Sequence, residues 1–242
     1  MNNLKQKNID NLISLWKTVG SSYQRYTTNK SFSYCQIPNS EWPNRIWFNK
    51  EVDEDTLEKV AEIIKSCPIP LSVSSWSNLD TKLHSVFGQF GFSEKSEQIG
   101  MSLKLTHKFE QPNRLELKRV TEPNHAKIWA ELYPQSFGYG ITEEIVNRTK
   151  DKIQFYLIYK EQQAIGTAIT HDTGGVIGIH GMGIVPLFRK QGFAREAMTY
   201  LLNKAITENK KLATLQSSAM GKSIYKNMGF TEDFLITTYQ LK

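Results

Sequence analysis

The sequence predicts a layered α/β domain of the α+β kind, in which helices and strands alternate along the chain. Three observations predict it. Runs with apolar residues every three or four positions alternate with short β-branched and aromatic runs. Glycine, proline and asparagine punctuate the joins. A hydrophobic content of 39% and a charged content of 22% over 242 residues suit a folded chain, long enough for one large domain or two small ones.

The elements follow in order. Ile9, Leu12, Ile13 and Trp16 share one face of a helix that runs to about Lys17. "FSYCQI" and "NRIWFN" read as strands around the turn-rich "PNSEWP". "DTLEKVAEIIKSCP" reads as a helix capped by Asp55, with Glu58 three residues on and Pro68 beyond its end. "PLSVSSW" is a strand, "TKLHSVFGQFG" a short helix ending at Gly91, and "IGMSLKL" a strand. The polar "HKFEQPNR" is the best boundary, which divides the chain into 1–110 and 111–242. Beyond it come strand "LELKRV", helices "NHAKIWAELYPQ" and "TEEIVNRTKD", and a hairpin of "QFYLIYK" with "AIGTAITH". Strand "VIGIHGMGIV", helix "FAREAMTYLLNKAITE", strand "LATLQSS", helix "KSIYKNMG" and strand "FLITTYQL" complete the chain. In the long helix Ala194, Ala197, Met198, Leu201, Leu202 and Ala205 recur on one side. Arg195, Glu196, Asn203 and Lys204 fall on the other.

Charge and cysteine content narrow the function classes. The net charge of +6 divides as +1 over residues 1–110 and +5 over 111–242, but the basic residues are scattered and carry no nucleic-acid motif. Such a bias suits a small polyanion, so no nucleic-acid partner is expected. Cys35 and Cys67 make neither a disulfide framework nor a metal cluster. No apolar run has the length of a membrane span, and no export signal opens the chain. We therefore expect a cytoplasmic protein without metal or membrane partner, as a monomer or homodimer.

A weak internal repeat adds a second level. "HSVFGQFGF" (84–92) and "KSIYKNMGF" (222–230) align without gaps, pairing Ser85 with Ser223, Gly91 with Gly229 and Phe92 with Phe230. Serine-rich strand ends precede both. This predicts two related halves.

The stretch "FRKQGFAREAM" carries the chemistry. A strand runs into Pro186, a basic loop with Gly192 follows, and a helix starts at once. The first turn of a helix has unpaired N–H groups and the positive end of the dipole, and a glycine lets the main chain close on phosphate oxygens. The spacing is neither GxGxxG nor the GxxxxGK[ST] phosphate loop.

"GIVPLFRKQGFAREAMTYLL" resembles the acyl-CoA-binding core of the GNAT-superfamily N-acetyltransferases. Arg189, Gly192 and Ala194 match its [R/Q]-x-x-G-x-[G/A] pattern, three residues after a proline. "LQSSAMGKSIYKNMGF" resembles the strand–helix segment that follows there, with Tyr225, Gly229 and Phe230 in a frequent Tyr-x-x-x-Gly-Phe. The resemblance covers 115–242. Over 1–110 it rests on the repeat, which suggests a degenerate GNAT-like copy: Phe87 stands at the position of Tyr225.

The resemblance implies a mixed, largely antiparallel sheet that splays open near Ile184, with the cosubstrate acetyl-CoA in the gap. Pantetheine would pair with the main chain of Met182, Gly183 and Ile184. The pyrophosphate would sit on the N–H groups of Lys190, Gln191, Gly192, Phe193, Ala194 and Arg195, with Arg189 adding charge. Gly178, Gly181 and Gly183 suit a bulged strand. Tyr225 would protonate the departing thiolate. Ser218 occupies a position where many members have a cofactor-contacting Asn. The base is open among His180, His171, Glu131, Tyr133 and a water chain. The expected reaction is direct transfer to a small amine in a ternary complex, since no cysteine lies near either motif. The alternative is a catalytically inactive CoA-binding sensor or interaction module.

Overall fold

The computed structural model describes residues 2–81, 84–110 and 112–242. The first half contributes α1 (Asn2–Ser22), β1 (Tyr26–Thr28), β2 (Phe32–Cys35), β3 (Arg45–Phe48), α2 (Glu54–Ser66), β4 (Ser72–Ser77), α3 (His84–Gln89) and β5 (Phe92–Lys104). The second contributes β6 (Glu116–Arg119), α4 (Pro123–Phe137), α5 (Glu143–Thr149), β7 (Gln154–Lys160), β8 (Gln163–Thr173) and β9 (Val176–Ile184). A 3₁₀ turn at Pro186–Phe188 then leads to α6 (Phe193–Thr207), β10 (Leu212–Ser217), α7 (Lys222–Lys226) and β11 (Thr231–Leu241).

Several boundaries differ from the sequence expectation for physical reasons. The cap of α2 is Asp53, whose extended backbone lets its carboxylate accept the Thr56 N–H at 2.9 Å; Asp55 lies inside the first turn. Strands β5 and β11 start earlier than expected, at Phe92 and Thr231, because they pair with each other through their polar ends. Of the helix expected from Thr81, Lys82 and Leu83 lie outside the described residues.

All eleven strands form one sheet, in the order β1-β2-β3-β4-β11-β5-β10-β9-β8-β7-β6. Among the described residues only β3–β4 and β9–β10 pair in parallel, so the sheet is mixed and largely antiparallel. The order shows an exchange. The last strand of the first half, β5, pairs with β10 of the second, and the last strand of the second, β11, pairs with β4 of the first. At the centre β5 and β11 run antiparallel. Gly100 on β5 is needed there, since a Cβ would lie 2.1 Å from the Phe234 ring.

Three buried clusters flank the sheet. One packs α1, α4 and α5 on one face, with Trp16, Trp129, Tyr133 and Phe155. A second packs α6 on the other through Ala197, Met198, Leu201, Leu202 and Ala205. Each such leucine contributes about 1.5–3 kcal/mol. The third holds α2 and α3 against β2–β4. Glu196, expected on the polar side of the long helix, is instead 3% exposed, covered by the segment that enters β6. The boundary stretch between the halves is likewise pinned to α6, by Phe109 and Asn203 exchanging two hydrogen bonds. Among the described residues no helix is long and apolar enough to cross a membrane.

The exchange predicts that neither half is a self-sufficient unit. Residues 111–242 expressed alone lose the strand between β10 and β11, and their circular dichroism melt should lack a cooperative transition. Co-expression with 1–110 should restore it; a cooperative melt of 111–242 alone would refute the dependence.

Candidate active site

The site is built where a sheet ladder stops. The parallel strands β9 and β10 pair only through Val176–Leu212, Ile177–Ala213 and Gly178–Thr214. Beyond Gly178 they diverge, and a gap opens at their C-terminal ends, where parallel strands present ligand sites. A bulge at Gly181 and Met182, opposite Ala168, bends β9 at this place. Gly181 has φ 50°, and Tyr133 and Ile169 close on it, so a side chain would meet both strain and contact there.

Of the three residues expected to meet pantetheine, Gly183 turns its main chain toward β8: its carbonyl oxygen would lie 2.4 Å from a Cβ at Gly166. By the alternation of strand backbone, Met182 and Ile184 face the gap. Arg189 confirms this for Ile184, since its Nε donates to the Ile184 carbonyl at 2.9 Å. Its Nη2 reaches the Ser136 carbonyl at 3.3 Å, which ties the end of α4 over the strand.

The loop after the strand ends in Gly192 at φ 83°, the residue before α6, with no side-chain cap on the helix. Among the described residues no acceptor takes the main-chain N–H groups of Lys190, Gln191, Gly192, Phe193, Ala194 or Arg195. Six consecutive donors, with Arg189, Lys190 and Arg195 exposed around them, make an anion cradle. Its shape is locked from behind. The buried Glu196 carboxylate accepts the N–H groups of Arg114 and Leu115 at 2.7 and 3.0 Å and the Arg114 Nε at 2.9 Å. Arg114 also stacks over Phe193 and donates to the Gln191 carbonyl. The sequence pattern held no sign of this clamp, because its two ends are 82 residues apart.

On the opposite lip, Ser218 is exposed and holds the turn into α7: its carbonyl accepts from Gly221 and Lys222. Tyr225 is half-buried against Phe230, and its hydroxyl has no partner among the described residues. Burial pushes its pKa up to about 12, so the phenol keeps its proton at neutral pH. The lips carry two well-exposed large apolar side chains, Leu187 (79%) and Met220 (78%), one after each strand.

The structure does not bring His180 to an open face. It is 8% exposed, with Nδ1 2.9 Å from Gln216 Oε1 and Nε2 3.0 Å from Asn11 Oδ1. Both amides are fixed by further bonds: Gln216 donates to Asn8, and Asn11 donates to the His171 carbonyl and Thr173. Asn8 in turn donates to the carbonyls of Met101 and Leu215. Side chains from α1 thus fill the wedge where β10 leaves β9. Burial pulls His180 down to about 4, against the upward pull of the Gln216 bond, so the neutral ring donates through one nitrogen while the other faces an amide oxygen without a proton between them. His171 is also buried, bonded to Ser14 and lowered by burial. Tyr133 is buried with its hydroxyl donated to Tyr139 and its pKa raised by burial. Glu131 is exposed and lines a cavity of about 690 Å³ between the halves.

Residues 116–230 match the acetyltransferase (GNAT) family. The second half is a GNAT domain. No curated protein matches the chain. Solved structures share the fold: a GCN5-related N-acetyltransferase from Kribbella flavida has a TM-score of 0.70 at 16% identity, over 94% of this chain and 93% of that one. A GCN5-related N-acetyltransferase from Sphaerobacter thermophilus has 0.64 at 11%, over 90% and 82%. A tandem GNAT protein from the clavulanic acid biosynthesis pathway has 0.58 at 8%, over 92% and 86%.

The first half also has a parallel strand pair joined by a helix, with the opposite charge at the helix start. Its parallel pair β3–β4 is joined through α2, as β9–β10 is joined through α6. Yet the start of α2 is already satisfied by Asp53 and carries Glu54 and Asp55, which repel an anion. Phe87, opposite Tyr225 in the repeat, is 1% exposed and stacked on Tyr239 at 4.0 Å.

Two measurements test the wedge. A Cβ at Gly178 would lie 1.8 Å from Asn11 Oδ1 and 2.4 Å from His180 Nε2. Gly178→Ala should therefore cost about 1–3 kcal/mol in a denaturant titration; an unchanged midpoint would dissolve the tight packing. His180 binds its proton less readily folded than unfolded, so its contribution is complete above pH 6.5 and is lost as the pH falls through about 4. Stability should drop over that window by about 3 kcal/mol, and His180→Gln should flatten the drop.

Proposed function

We propose that this protein transfers an acetyl group from acetyl-CoA directly to the amine of a small substrate. The observation that carries the reading is the run of six unpartnered N–H groups from Lys190 to Arg195. Such a cradle suits a pyrophosphate, and the exposed cations of the loop add charge to it. Gly192 permits the approach, as its left-handed backbone has no side chain to fill the cradle.

The main-chain groups of Met182 and Ile184 bind the pantetheine amides, continuing the ladder that β10 has left. Arg189 gives up the Ile184 carbonyl when this happens and turns to the phosphates. The amine attacks the thioester carbon, negative charge gathers on its oxygen, and collapse expels the thiolate. Tyr225, protonated at neutral pH and free of other partners, donates its proton to the departing sulfur. Ser218 shapes the turn that holds α7 in place. The amine proton leaves to water or to Glu131; His180 holds α1 on the sheet and has a positioning role. Transfer through a cysteine is disfavoured: Cys35 is buried, its thiol is bonded to the Trp16 carbonyl, and burial pushes it up to about 12.

A second reading, a CoA-binding sensor without turnover, draws on the engagement of both His180 nitrogens. One set of experiments separates the two. Isothermal titration should show acetyl-CoA binding to the wild type and its loss in a Gly192→Asp/Arg189→Ala variant. Thiol release over an amine panel should then fall about a hundredfold or more in Tyr225→Phe at unchanged acetyl-CoA affinity. Binding without release on any amine would favour the sensor. A folded wild type that does not bind acetyl-CoA would refute both.

A further inference from the structure

The two halves leave an open cavity of about 690 Å³ where they meet along α4. One wall comes from the first half, from the loops Pro38–Glu41 and Pro68–Pro70 that lead into β3 and β4. The other comes from α4 and the α4–α5 loop. Lys127, Ala130 and Glu131 present one face of the helix to the cavity, while Ala126, Trp129 and Tyr133 pack inward. No residue of the Met182–Arg195 stretch lines it, nor do Ser218 and Tyr225, so it is a separate site from the gap between β9 and β10.

Its walls are fixed before any ligand arrives. Asn44 pins the first loop: its amide accepts the Ile37 N–H at 2.6 Å and donates to the carbonyls of Ile37 and Ser40 at 2.9 and 2.6 Å. The Cys67 thiol holds the second, accepting from Gln36 Nε2 and donating to the Ile69 carbonyl, each at 2.9 Å. Glu41 crosses the seam, where its Oε2 accepts the Gly140 N–H at 2.5 Å. Thr142 ties the α4–α5 loop to its helix by accepting the Ile145 N–H. A preformed cavity of this kind spends little ordering entropy on filling, and its volume lies within the about 300–1,000 Å³ of small-molecule sites.

The lining states what would fill it. Pro38, Pro68, Ile69, Pro70 and Ala130 make apolar sides. The three prolines have no N–H, so they offer ring faces and carbonyls and no main-chain donor. The charged side chains are Glu41, Glu131 and Glu143 against Lys127, three carboxylates to one ammonium. Glu41 uses only one oxygen on Gly140, and Glu143 meets Asn147 at 3.4 Å. Glu131 engages Gln135 through its main-chain carbonyl, which leaves its carboxylate free among the described residues. Pro38, Glu41, Glu131 and Glu143 are exposed, so solvent reaches the cavity and its acids.

We propose that this cavity binds a small organic cation, an ammonium group on a short apolar body. The apolar sides take the body and the carboxylates take the ammonium. The same acids turn away a polyanion such as the acyl donor, so the two sites sort their ligands by charge. The proposal concerns binding, and it stands whether or not the protein transfers acetyl groups.

The test titrates hexylamine, hexan-1-ol and hexanoate, which share a body and differ in charge, calorimetrically into the full chain without acetyl-CoA. Hexylamine should bind about tenfold more tightly than the alcohol, with hexanoate the weakest, and high salt should narrow the difference. Two variants locate the site. Ala130→Trp fills the cavity and should abolish hexylamine binding at an unchanged circular dichroism melt. Glu131→Gln/Glu143→Gln alters exposed side chains only, and it should weaken hexylamine about tenfold with hexan-1-ol unchanged. Absence of amine binding, or equal affinities for amine and alcohol, overturns the proposal whichever variants fold. Wild-type amine binding in a folded Ala130→Trp variant overturns it too. Acetyl-CoA is absent from every arm, so its own failure to bind would overturn the acetyl-transfer reading alone.

Discussion

A β-strand must pair its main-chain N–H and C=O groups, and on its β10 side β9 has a partner for three residues only. The remaining organisation of the second half answers that constraint. At the base of the wedge, Asn8, Asn11, Gln216 and His180 supply side-chain bonds in place of the missing ladder. Higher up, Arg189 covers the Ile184 carbonyl and leashes the end of α4. Between these lies a stretch of β9 that no strand meets on this side. The bulge at Gly181 lets the strand leave its neighbour without breaking its pairing with β8.

The exchange of β5 and β11 explains why the wedge can be plugged from so far away. Because β5 lies against β10, the first half is held beside the gap, and α1 crosses onto the second half's strands. Two amides of one helix then reach carbonyls on β5, β8 and β10. An isolated second half would face water in the wedge, and the polar groups of His180 and Gln216 would be solvated separately. The two halves share a core as well as a chain: Trp16 and Trp47 from the first lie in one cluster with Trp129 and Phe155 from the second.

What was legible in the sequence was local. Strands, helices and the cradle all follow from spacings of a few residues, and the glycine run of β9 signalled the bulge. The paired motifs around Gly192 and Tyr225 drew on resemblance, and both lie on lips of the same gap. What was not legible depends on separations along the chain that no local pattern encodes. Asn8 meets Leu215 across 207 residues, and Arg114 meets Glu196 across 82. Glu196 looked like a solvent-facing residue because helical periodicity describes one helix and its main apolar neighbour, not a loop that later lies across the polar side. His180 looked like a candidate base for a similar reason: its type and its strand were readable, whereas the amides that close both its nitrogens come from α1 and β10.

The polar groups buried at the seam fall into two kinds, and the difference has a functional meaning. Around His180 each amide is engaged at both ends, so the network rigidifies the wedge and offers little to a ligand. At the Lys190–Arg195 loop and at Arg45 the donors outnumber the acceptors. Other unpartnered buried atoms include the neutral hydroxyls of Ser102 and Thr214, whose desolvation is mild, and Asp233 Oδ2, whose carboxyl burial pushes toward its neutral form. A guanidinium cannot shed its charge at physiological pH, so its deficit persists. Both deficits are donor surpluses, and both call for negative charge. They differ in access: the row of backbone N–H groups before α6 lies in an exposed loop, where an anion can settle, whereas the Arg45 Nε is closed off and its guanidinium faces the Trp16 ring instead.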